Sequence, residues 1–294
     1  MTVTAERART EPRADRPPRL RLAMLVVGLL TVLAAGLGIG VPATHGGPAA
    51  VDEPQYLLSA LSLWEDHDLD ISDELADRRF LAFHDADLPV QTAARPDGSQ
   101  LSPHDPLLPV LLAVPMGLGG WVAAKLTLAV LAGILAALLL WVAVRRFAVP
   151  PRLAVPGVAL ATCTAPLAVY GQQVYPELPG ALAALVAVAA LTAPRPTPRT
   201  LSVLALAVVA LPWLSVKYAP VAAALYLVAA VGLWRAPSPA RSPPAGSSTW
   251  PCTRRSTAAS PRTPAATTSR APVSSAWSAS TRTTRAAASG CSAC

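Results

Sequence analysis

The sequence contains no asparagine and only two lysines, and charged residues taken together are scarce for a chain of 294 residues. Asp, Glu, Lys and Arg together make up 14% of the chain, whereas a soluble domain usually carries about 25%. Hydrophobic residues make up 53%, and the mean hydropathy is +0.44. This composition argues against a soluble globular domain and favours a membrane protein.

Acidic residues are missing from most of the chain as well. Thirteen of the seventeen lie between Asp52 and Asp105, and none follows Glu177. The net charge of +7 is therefore segregated along the chain instead of being spread over one polar surface. We expect the lipid bilayer as a partner and no nucleic acid.

Cysteine is also rare. Cys163 stands alone in an apolar stretch, and Cys252, Cys291 and Cys294 lie near the C-terminus. Four cysteines placed in this way form no disulfide framework. The CxxC spacing at the C-terminus has no second cysteine pair and no nearby histidine, so it predicts no zinc site.

Long uncharged stretches, by contrast, are abundant. Residues 22–41 carry no charge. A helix needs ~20 apolar residues to cross the ~30 Å of hydrocarbon in a bilayer, so this stretch is long enough to span it. A secretory signal peptide has an apolar core of only about 7–15 residues, so we interpret this stretch as an uncleaved anchor. The predicted fold is all-α, a polytopic membrane protein with about six transmembrane helices. The other predicted spans are 121–144, 153–170, 178–193, 201–216 and 219–234.

One further apolar segment, 106–120, is not counted among the spans. It is short and contains Pro109 and Pro115. Because about 20 apolar residues are needed to cross the hydrocarbon, we predict an interfacial or re-entrant segment here.

Apart from Arg78, Arg79 and Arg95 in the loop 42–105, the arginines fall on alternate connections between the predicted spans. Six lie within residues 1–21, and others lie at 145–152, 195–199 and 235–241. Cytoplasmic loops of membrane proteins carry an excess of Arg and Lys, so these segments are predicted to be cytoplasmic. The prediction is a multi-pass plasma-membrane protein with a basic, cytoplasmic N-terminal segment. The acidic loop 42–105, with interfacial helices, is predicted to lie outside.

Residues 236–294 differ in composition from everything before them. They contain no Asp, Glu, Lys, Leu, Ile, Met, Phe or Tyr. One interpretation is a disordered low-complexity tail. A second is a frameshift in a GC-rich gene, because codons read from the third base of Trp250 or Trp277 can restore Leu, Tyr and acidic residues. On this interpretation we expect residues 22–235 to be the N-terminal part of a longer membrane protein.

Four short motifs lie at the ends of the predicted spans. The first follows the first span directly and places an acidic pair and then an aromatic residue at the start of the outer loop. The others are a polar, proline-bearing entry to the second span, an arginine pair where that span ends, and an acidic turn before the fourth span. The motifs read VDEPQYLL at 51–58, PHDPL at 103–107, RR at 145–146 and YPEL at 175–178.

Together these motifs resemble the GT-C superfamily of integral membrane glycosyltransferases, over residues 22–235. The closer similarity is to the branch that contains protein O-mannosyltransferases and aminoarabinose lipid A transferases. The resemblance implies that the protein transfers a sugar from a polyprenyl-phosphate carrier to an acceptor on the outer face of the membrane. Pro54 and the acidic stretch 65–87 depart from the superfamily pattern, which leaves the sugar and the acceptor open.

The resemblance also implies roles for individual residues. Inverting transfer needs a carboxylate beside the anomeric carbon to deprotonate the acceptor hydroxyl, and it needs cations to stabilise the departing phosphate. Asp52, with Glu53 beside it, is expected to be the catalytic carboxylate. The expected donor-binding residues are Tyr56, His104, Asp105, Glu177, Lys125 and Lys217.

Simpler interpretations of the same residues stay open. Asp52 and Glu53 are also typical of solvated loop acids or of a cap on the first helix of the loop. Lys125 and Lys217 stand at predicted outer helix ends, where lysines commonly extend to the interface. Glu177 is also typical of a carboxylate near a helix N-terminus, where the helix dipole stabilises it.

The stretch 65–87 is dense in carboxylates and contains His67 and His84. Such clusters bind divalent cations, but the glycine and the terminal glutamate of an EF-hand are missing. We therefore name no metal ligand and leave a divalent metal cofactor open. The alternative is a solvated amphipathic helix lying on the membrane. Its apolar side consists of Leu75, Phe80, Leu81 and Phe83.

Two other functions compete with the transferase. A transporter or permease fragment is expected to carry ionisable residues in mid-helix and a repeat between its halves. Here the charges lie at predicted helix ends, and the sequence has no internal repeat. The second alternative is a truncated gene product without activity, which the predicted frameshift favours.

Overall fold

The computed structural model describes residues 17–42, 47–89 and 91–235, and this part of the chain is helical. It contains no β-strand within those ranges, only an isolated bridge between Asp70 and Leu101. The prediction of an all-α fold is confirmed. The elements are α1 (Pro17–Gly36), α2 (Glu53–Glu65), α3 (Ser72–Ala76), a 3₁₀ turn (Arg79–Ala82), α4 (Leu107–Arg145), α5 (Pro151–Cys163), α6 (Leu167–Tyr170), α7 (Glu177–Leu191), α8 (Pro198–Leu214), a second 3₁₀ turn (Val216–Tyr218) and α9 (Ala219–Arg235).

Two predicted segments fall partly or wholly outside this description. The basic segment 1–21 enters it only at Pro17, where α1 begins. The segment 236–294 lies outside the described residues altogether. The interpretations of both segments stay predictions.

Two helices in the described ranges are long and apolar enough to cross a membrane. They are α1, through the window Arg19–Gly36, and α4, which has 39 residues. On α1, the side chains of Leu22, Leu25, Leu29 and Leu33 are each more than half exposed. Leucines on an outer helix face suit a lipid surrounding better than water. The structure thus supports membrane association through two helices.

α4 is broken once, at Gly119 and Gly120. Gly120 has φ 62° and ψ −159°, a conformation that residues with a Cβ rarely adopt. The break divides α4 into 107–118 and 121–145, and the second portion is about 37 Å long at 1.5 Å per residue. The predicted boundary between segment 106–120 and the following span falls at this break. Only two residues of non-helical backbone separate the two portions.

The remaining predicted spans correspond to shorter helices. α7, α8 and α9 are apolar and have 15, 17 and 17 residues. The predicted span 153–170 is not one helix, because α5 ends at Cys163 and α6 begins at Leu167. Pro166, between them, has no amide hydrogen for the helical ladder, which accounts for the interruption.

α4 is the centre of the helix packing, and it contacts α1, α2, α5, α7 and α8. Its approach to α1 is close at Gly133, where an added Cβ would lie 2.8 Å from the carbonyl oxygen of Gly28. A buried hydrogen bond of 2.8 Å between the hydroxyls of Thr31 and Thr162 joins α1 to α5. The first half of the chain is therefore held together by small residues and by a polar link between helices.

The loop 42–105 folds against this framework. The α2 residues 53–62 are buried, and the helix packs on α4. The stretch 65–87 forms no amphipathic surface helix, since α3 has only five residues and a 3₁₀ turn follows it. Phe80 and Phe83, predicted to face the membrane, are 5% and 1% exposed and belong to the protein core. That alternative is therefore wrong, because the aromatic side chains pack inside the loop.

Candidate functional site

Asp52 is a surface carboxylate at the start of α2. It occupies the N-cap position, yet its side chain makes no capping hydrogen bond. Its Oδ1 instead accepts a hydrogen bond from Gln91 Nε2 at 3.2 Å and lies 4.0 Å from His104 Nε2. The Asp52 side chain is 39% exposed, so a ligand can contact it beside the imidazole of His104. The alternative of a side-chain helix cap is wrong for this residue.

Tyr56 follows Asp52 by one helical turn and lies on the same side of α2. Its ring stacks on the His104 ring, with centroids 4.4 Å apart and planes at 18°. Burial raises the pKa of Tyr56, and the charges of Glu177, Asp52 and Asp105 raise this pKa further. Three predicted carboxylates therefore surround one buried phenol.

The second 3₁₀ turn brings Lys217 to the same place. Lys217 Nζ donates a hydrogen bond to Glu177 Oε1 at 2.5 Å, and the Val216 amide donates to Asp105 Oδ2 at 3.0 Å. Burial tends to lower the pKa of Lys217, but the hydrogen bond and the charge of Glu177 outweigh it and raise the pKa. Lys217 therefore stays positive at neutral pH, with half of its side chain exposed.

Six of the eight predicted site residues thus meet in one place. They come from four separate segments: the start of α2, the loop before α4, the start of α7 and the turn before α9. Their common position fits the prediction that these segments share one surface. We call them the polar cluster, which consists of Asp52, Tyr56, His104, Asp105, Glu177 and Lys217.

Unpaired polar atoms indicate that the polar cluster is suited to a ligand. Within the described residues, two buried atoms of the cluster, His104 Nε2 and Glu177 Oε2, lack a hydrogen-bond partner, and so does Tyr218 Oη beside Lys217. Buried polar atoms in proteins are nearly always paired. Burial lowers the pKa of His104 and raises the pKa of Tyr218. At neutral pH His104 therefore offers a neutral imidazole and Tyr218 a protonated phenol. Together with the unpaired Glu177 oxygen, these groups match the hydroxyl groups of a polar ligand.

The other two predicted residues, Glu53 and Lys125, form a buried ion pair. Their side chains are 3% and 2% exposed, and Lys125 Nζ lies 3.3 Å from Glu53 Oε1. Glu53 also accepts hydrogen bonds from the amides of Ala50 (3.0 Å) and Val174 (2.7 Å), and Lys125 donates to the carbonyl of Pro48 (2.5 Å). The alternatives of a solvated acid and an interfacial lysine are therefore wrong. The pair fastens α2 to α4 and leaves Asp52 as the accessible carboxylate.

Three further residues belong to the site although they were not predicted as members. Tyr175 meets Tyr56 edge-on, with ring centroids 6.5 Å apart. Tyr218 lies beside Lys217 and packs on Gly180, and Gln91 bonds to Asp52. Tyr175 stands two residues before Glu177 in the YPEL motif, which could have indicated it. Gln91 carries no such signal in a polar loop.

The histidines of the acidic stretch take no part in a metal-ligand group. His84 Nδ1 donates to the Ala49 carbonyl at 2.9 Å, and the ring of His67 is next to the carbonyl of Leu63. A group of three carboxylates, described below, does lie in this stretch. If a metal is held there, its protein ligands are oxygens.

The fold and the polar cluster define an all-α protein with two helices able to cross a membrane and a polar site at the ends of several helices. Comparison with protein-family models, with curated proteins and with solved structures finds no match for the chain. Its function must therefore be argued from its own residues.

Proposed function

We propose that the chain is a GT-C-type membrane glycosyltransferase that binds a polyprenyl-phosphate-linked sugar at the polar cluster. The observation that carries this proposal is the presence of an accessible base and an accessible cation in one cluster. Asp52 is half-exposed beside His104, and Lys217 holds an exposed ammonium group beside Glu177. A glycosyl phosphate donor requires a cation for its phosphate, and the acceptor hydroxyl requires a base.

The proposed reaction is a single displacement. The acceptor oxygen forms a bond to the anomeric carbon while the bond from this carbon to the phosphate oxygen breaks. Asp52 takes the proton of the acceptor hydroxyl, and Lys217 balances the charge of the departing polyprenyl phosphate. The unpaired atoms of His104 and Tyr218 are suited to hydroxyl groups of the sugar. Tyr56 and Tyr175 supply the aromatic wall of the cluster.

The proposal includes the six spans and the cytoplasmic N-terminus expected from the sequence. The portion 121–145 of α4 crosses the membrane, and the portion 107–118 lies at the outer surface beside α2. Asp105 precedes α4 and Arg146 follows it, so the acidic cluster and this arginine lie at opposite ends of the helix. The portion 121–145, about 37 Å long, can cross the ~30 Å of hydrocarbon by itself, which leaves the portion 107–118 for the outer surface.

A binding measurement tests the proposal directly. The purified 294-residue chain is placed in lipid nanodiscs and titrated with radiolabelled polyprenyl-phosphate mannose and, in parallel, polyprenyl-phosphate aminoarabinose. We expect saturable binding of one of them. Lys217→Ala should weaken this binding roughly 10-fold or more, since a hydrogen bond to a charged group contributes about 1.5–3 kcal/mol.

The matched control is Arg95→Ala, which removes an exposed cation of the loop 42–105 that lies outside the polar cluster. It should change the affinity less than about twofold, as expected for a charge outside the site. If both donors bind no better than polyprenol lacking a phosphate, the proposed function is wrong. Equal losses in the two variants would remove Lys217 from the donor site.

A further inference from the structure

Three carboxylates of the loop come together away from the polar cluster. Asp66 follows the last residue of α2, and Asp73 and Glu74 lie in the first turn of α3. One carboxylate oxygen from each of the three lies within 4.8 Å of the others. We call these residues the carboxylate trio.

The acidic residues around the trio are engaged in other contacts. Glu65 accepts hydrogen bonds from both terminal nitrogens of Arg79, at 2.9 and 2.8 Å. Asp68 accepts from the Ser62 hydroxyl and the Asp70 amide, and Asp70 accepts from the amides of Ser72 and Gln100. These contacts organise the turn and neutralise its arginine. The trio is therefore left as a concentration of negative charge.

Glu74 gives the independent indication that the trio holds a ligand. It is only 2% exposed, and neither of its carboxylate oxygens has a hydrogen-bond partner in the structure. A buried carboxylate is costly unless it is paired or coordinates a metal, so a cation at this position would remove the cost.

We propose that Asp66, Asp73 and Glu74 form a binding site for a hard divalent cation of the size of Ca²⁺. The three oxygens lie within 4.8 Å of one another, and Ca²⁺ takes oxygen ligands at about 2.3–2.6 Å in flexible geometry. Mg²⁺ demands near-ideal octahedral geometry at about 2.0–2.1 Å and gives up its waters reluctantly, so it suits this site less well. The ligand set contains carboxylate oxygen and no nitrogen or sulfur, which selects against Zn²⁺.

Such a site would fix the outer loop. Asp66 ends α2, which packs on α4, whereas α3 is a helix of only five residues. A cation bridging the two would anchor α3 to the buried helix. Two of the three ligands are exposed, so we expect a dissociation constant of about 10⁻⁴–10⁻³ M, in the range of extracellular calcium modules.

The test uses the full chain in detergent, stripped of divalent metal with a chelator and titrated with Ca²⁺ by calorimetry and by thermal unfolding. We expect one Ca²⁺ per chain and a rise in melting temperature that Mg²⁺ at the same concentration does not match. Glu74→Gln should abolish both effects, and Asp73→Asn should weaken binding at least roughly 10-fold. Glu74→Gln removes a buried charge, so the metal-free variant should be at least as stable as the wild type.

Asp97→Asn is the control, because Asp97 is an exposed carboxylate of the same loop that bonds to Ser99. It should bind Ca²⁺ like the wild type. Absence of binding up to about 10 mM Ca²⁺, ten times the weakest expected constant, would overturn the proposal. Unchanged binding by Glu74→Gln would overturn it as well. Because the assay contains no sugar donor, its outcome is independent of the proposed transferase function.

Discussion

Lys125 in α4 pairs with Glu53 at the start of α2, and the two side chains are almost completely buried, with Nζ and Oε1 3.3 Å apart. Removing two charges from water is expensive, and their attraction compensates only when further hydrogen bonds complete the group. Here the Ala50 and Val174 amides and the Pro48 carbonyl supply those bonds. The pair therefore acts as a fixed joint between the loop 42–105 and the helices.

Breaking this joint should be strongly destabilising. Glu53→Gln leaves the Lys125 charge buried without a counterion, and we expect a loss of about 3–5 kcal/mol in the free energy of unfolding. The double variant Glu53→Gln/Lys125→Met should recover part of the loss, since no uncompensated charge remains. Denaturant unfolding in detergent measures both values.

The exposed pair Arg78–Asp87 is the control for this prediction. Its side chains are 55% and 86% exposed, and pairs of this kind contribute about 0–1 kcal/mol. Arg78→Ala should therefore cost much less than Glu53→Gln. Similar costs in the two single variants would show that burial does not decide the strength of the Lys125–Glu53 pair.

The contact between α1 and α4 should depend on the absence of a side chain at Gly133. A Cβ at this position would meet Val32 Cγ2 at 2.5 Å and the Gly28 carbonyl oxygen at 2.8 Å. Gly133→Ala is therefore expected to destabilise the protein by about 1–3 kcal/mol, as overpacking does. In α5, Gly157 has no atom within 4 Å of an added Cβ, so Gly157→Ala should be neutral or stabilising by up to ~1 kcal/mol. Equal melting temperatures in the two variants would contradict the close approach.

The helices could be predicted from the sequence wherever a long run of residues is apolar. The run 22–41 overlaps α1, and the run 121–144, despite Lys125, corresponds to the second portion of α4. The stretch 65–87 could not be predicted, because a pattern of apolar residues does not reveal whether their face meets lipid or protein. Phe80 and Phe83 have the spacing of a surface helix, yet they fill the core under the loop. Their burial depends on α2 and α4, which are distant in sequence.

The sequence allowed us to predict which residues lie together in the candidate site better than what each of them does there. The motifs stand at the ends of predicted spans, and the structure brings Asp52, His104 and Glu177, each from a different motif, into one cluster. The position of Lys125 looked equivalent to that of Lys217. Whether a lysine side chain extends to the surface depends on the residues that pack around it. The buried partner of Lys125 is Glu53, which is distant in the sequence and could not be inferred from it.

Labelling of introduced cysteines should establish the topology. In a background with all four native cysteines replaced by serine, Ala94→Cys should react with an impermeant maleimide added outside intact cells. Pro196→Cys should react only after the cells are opened. Both positions are exposed, and the arginines beside Pro196 predict a cytoplasmic turn. Reaction of Ala94→Cys only in opened cells would overturn the proposed orientation.

Acid should destabilise the protein through His104. Burial lowers the pKa of His104 below its ordinary value of about 6.5. Between the folded pKa and about pH 6.5, the unfolded chain therefore binds more protons than the folded chain. Stability contributed by the neutral ring is therefore complete above about pH 6.5 and is lost as the pH falls through the folded pKa. We expect the melting temperature in detergent to fall more between about pH 7.5 and about 5.5 in the wild type than in His104→Gln. Identical pH slopes would show that His104 is not held neutral.

The roles of Asp52 and Lys217 should separate when sugar transfer and donor binding are measured on the same variants. Transfer is assayed with a gene in which the predicted reading frame after codon 235 is restored, and donor binding is measured in nanodiscs. Asp52→Asn keeps the shape of the side chain but removes the base, so transfer should fall by about 10²–10⁴-fold while donor affinity changes little. Lys217→Ala should mainly weaken donor binding, because its ammonium group is the proposed partner of the phosphate.

The control for Asp52→Asn is Asp97→Asn, which makes the same change at an exposed carboxylate outside the polar cluster and should leave both measurements unchanged. Wild-type transfer by Asp52→Asn would exclude it as the base, and a large loss of donor binding in that variant would place Asp52 at the donor instead.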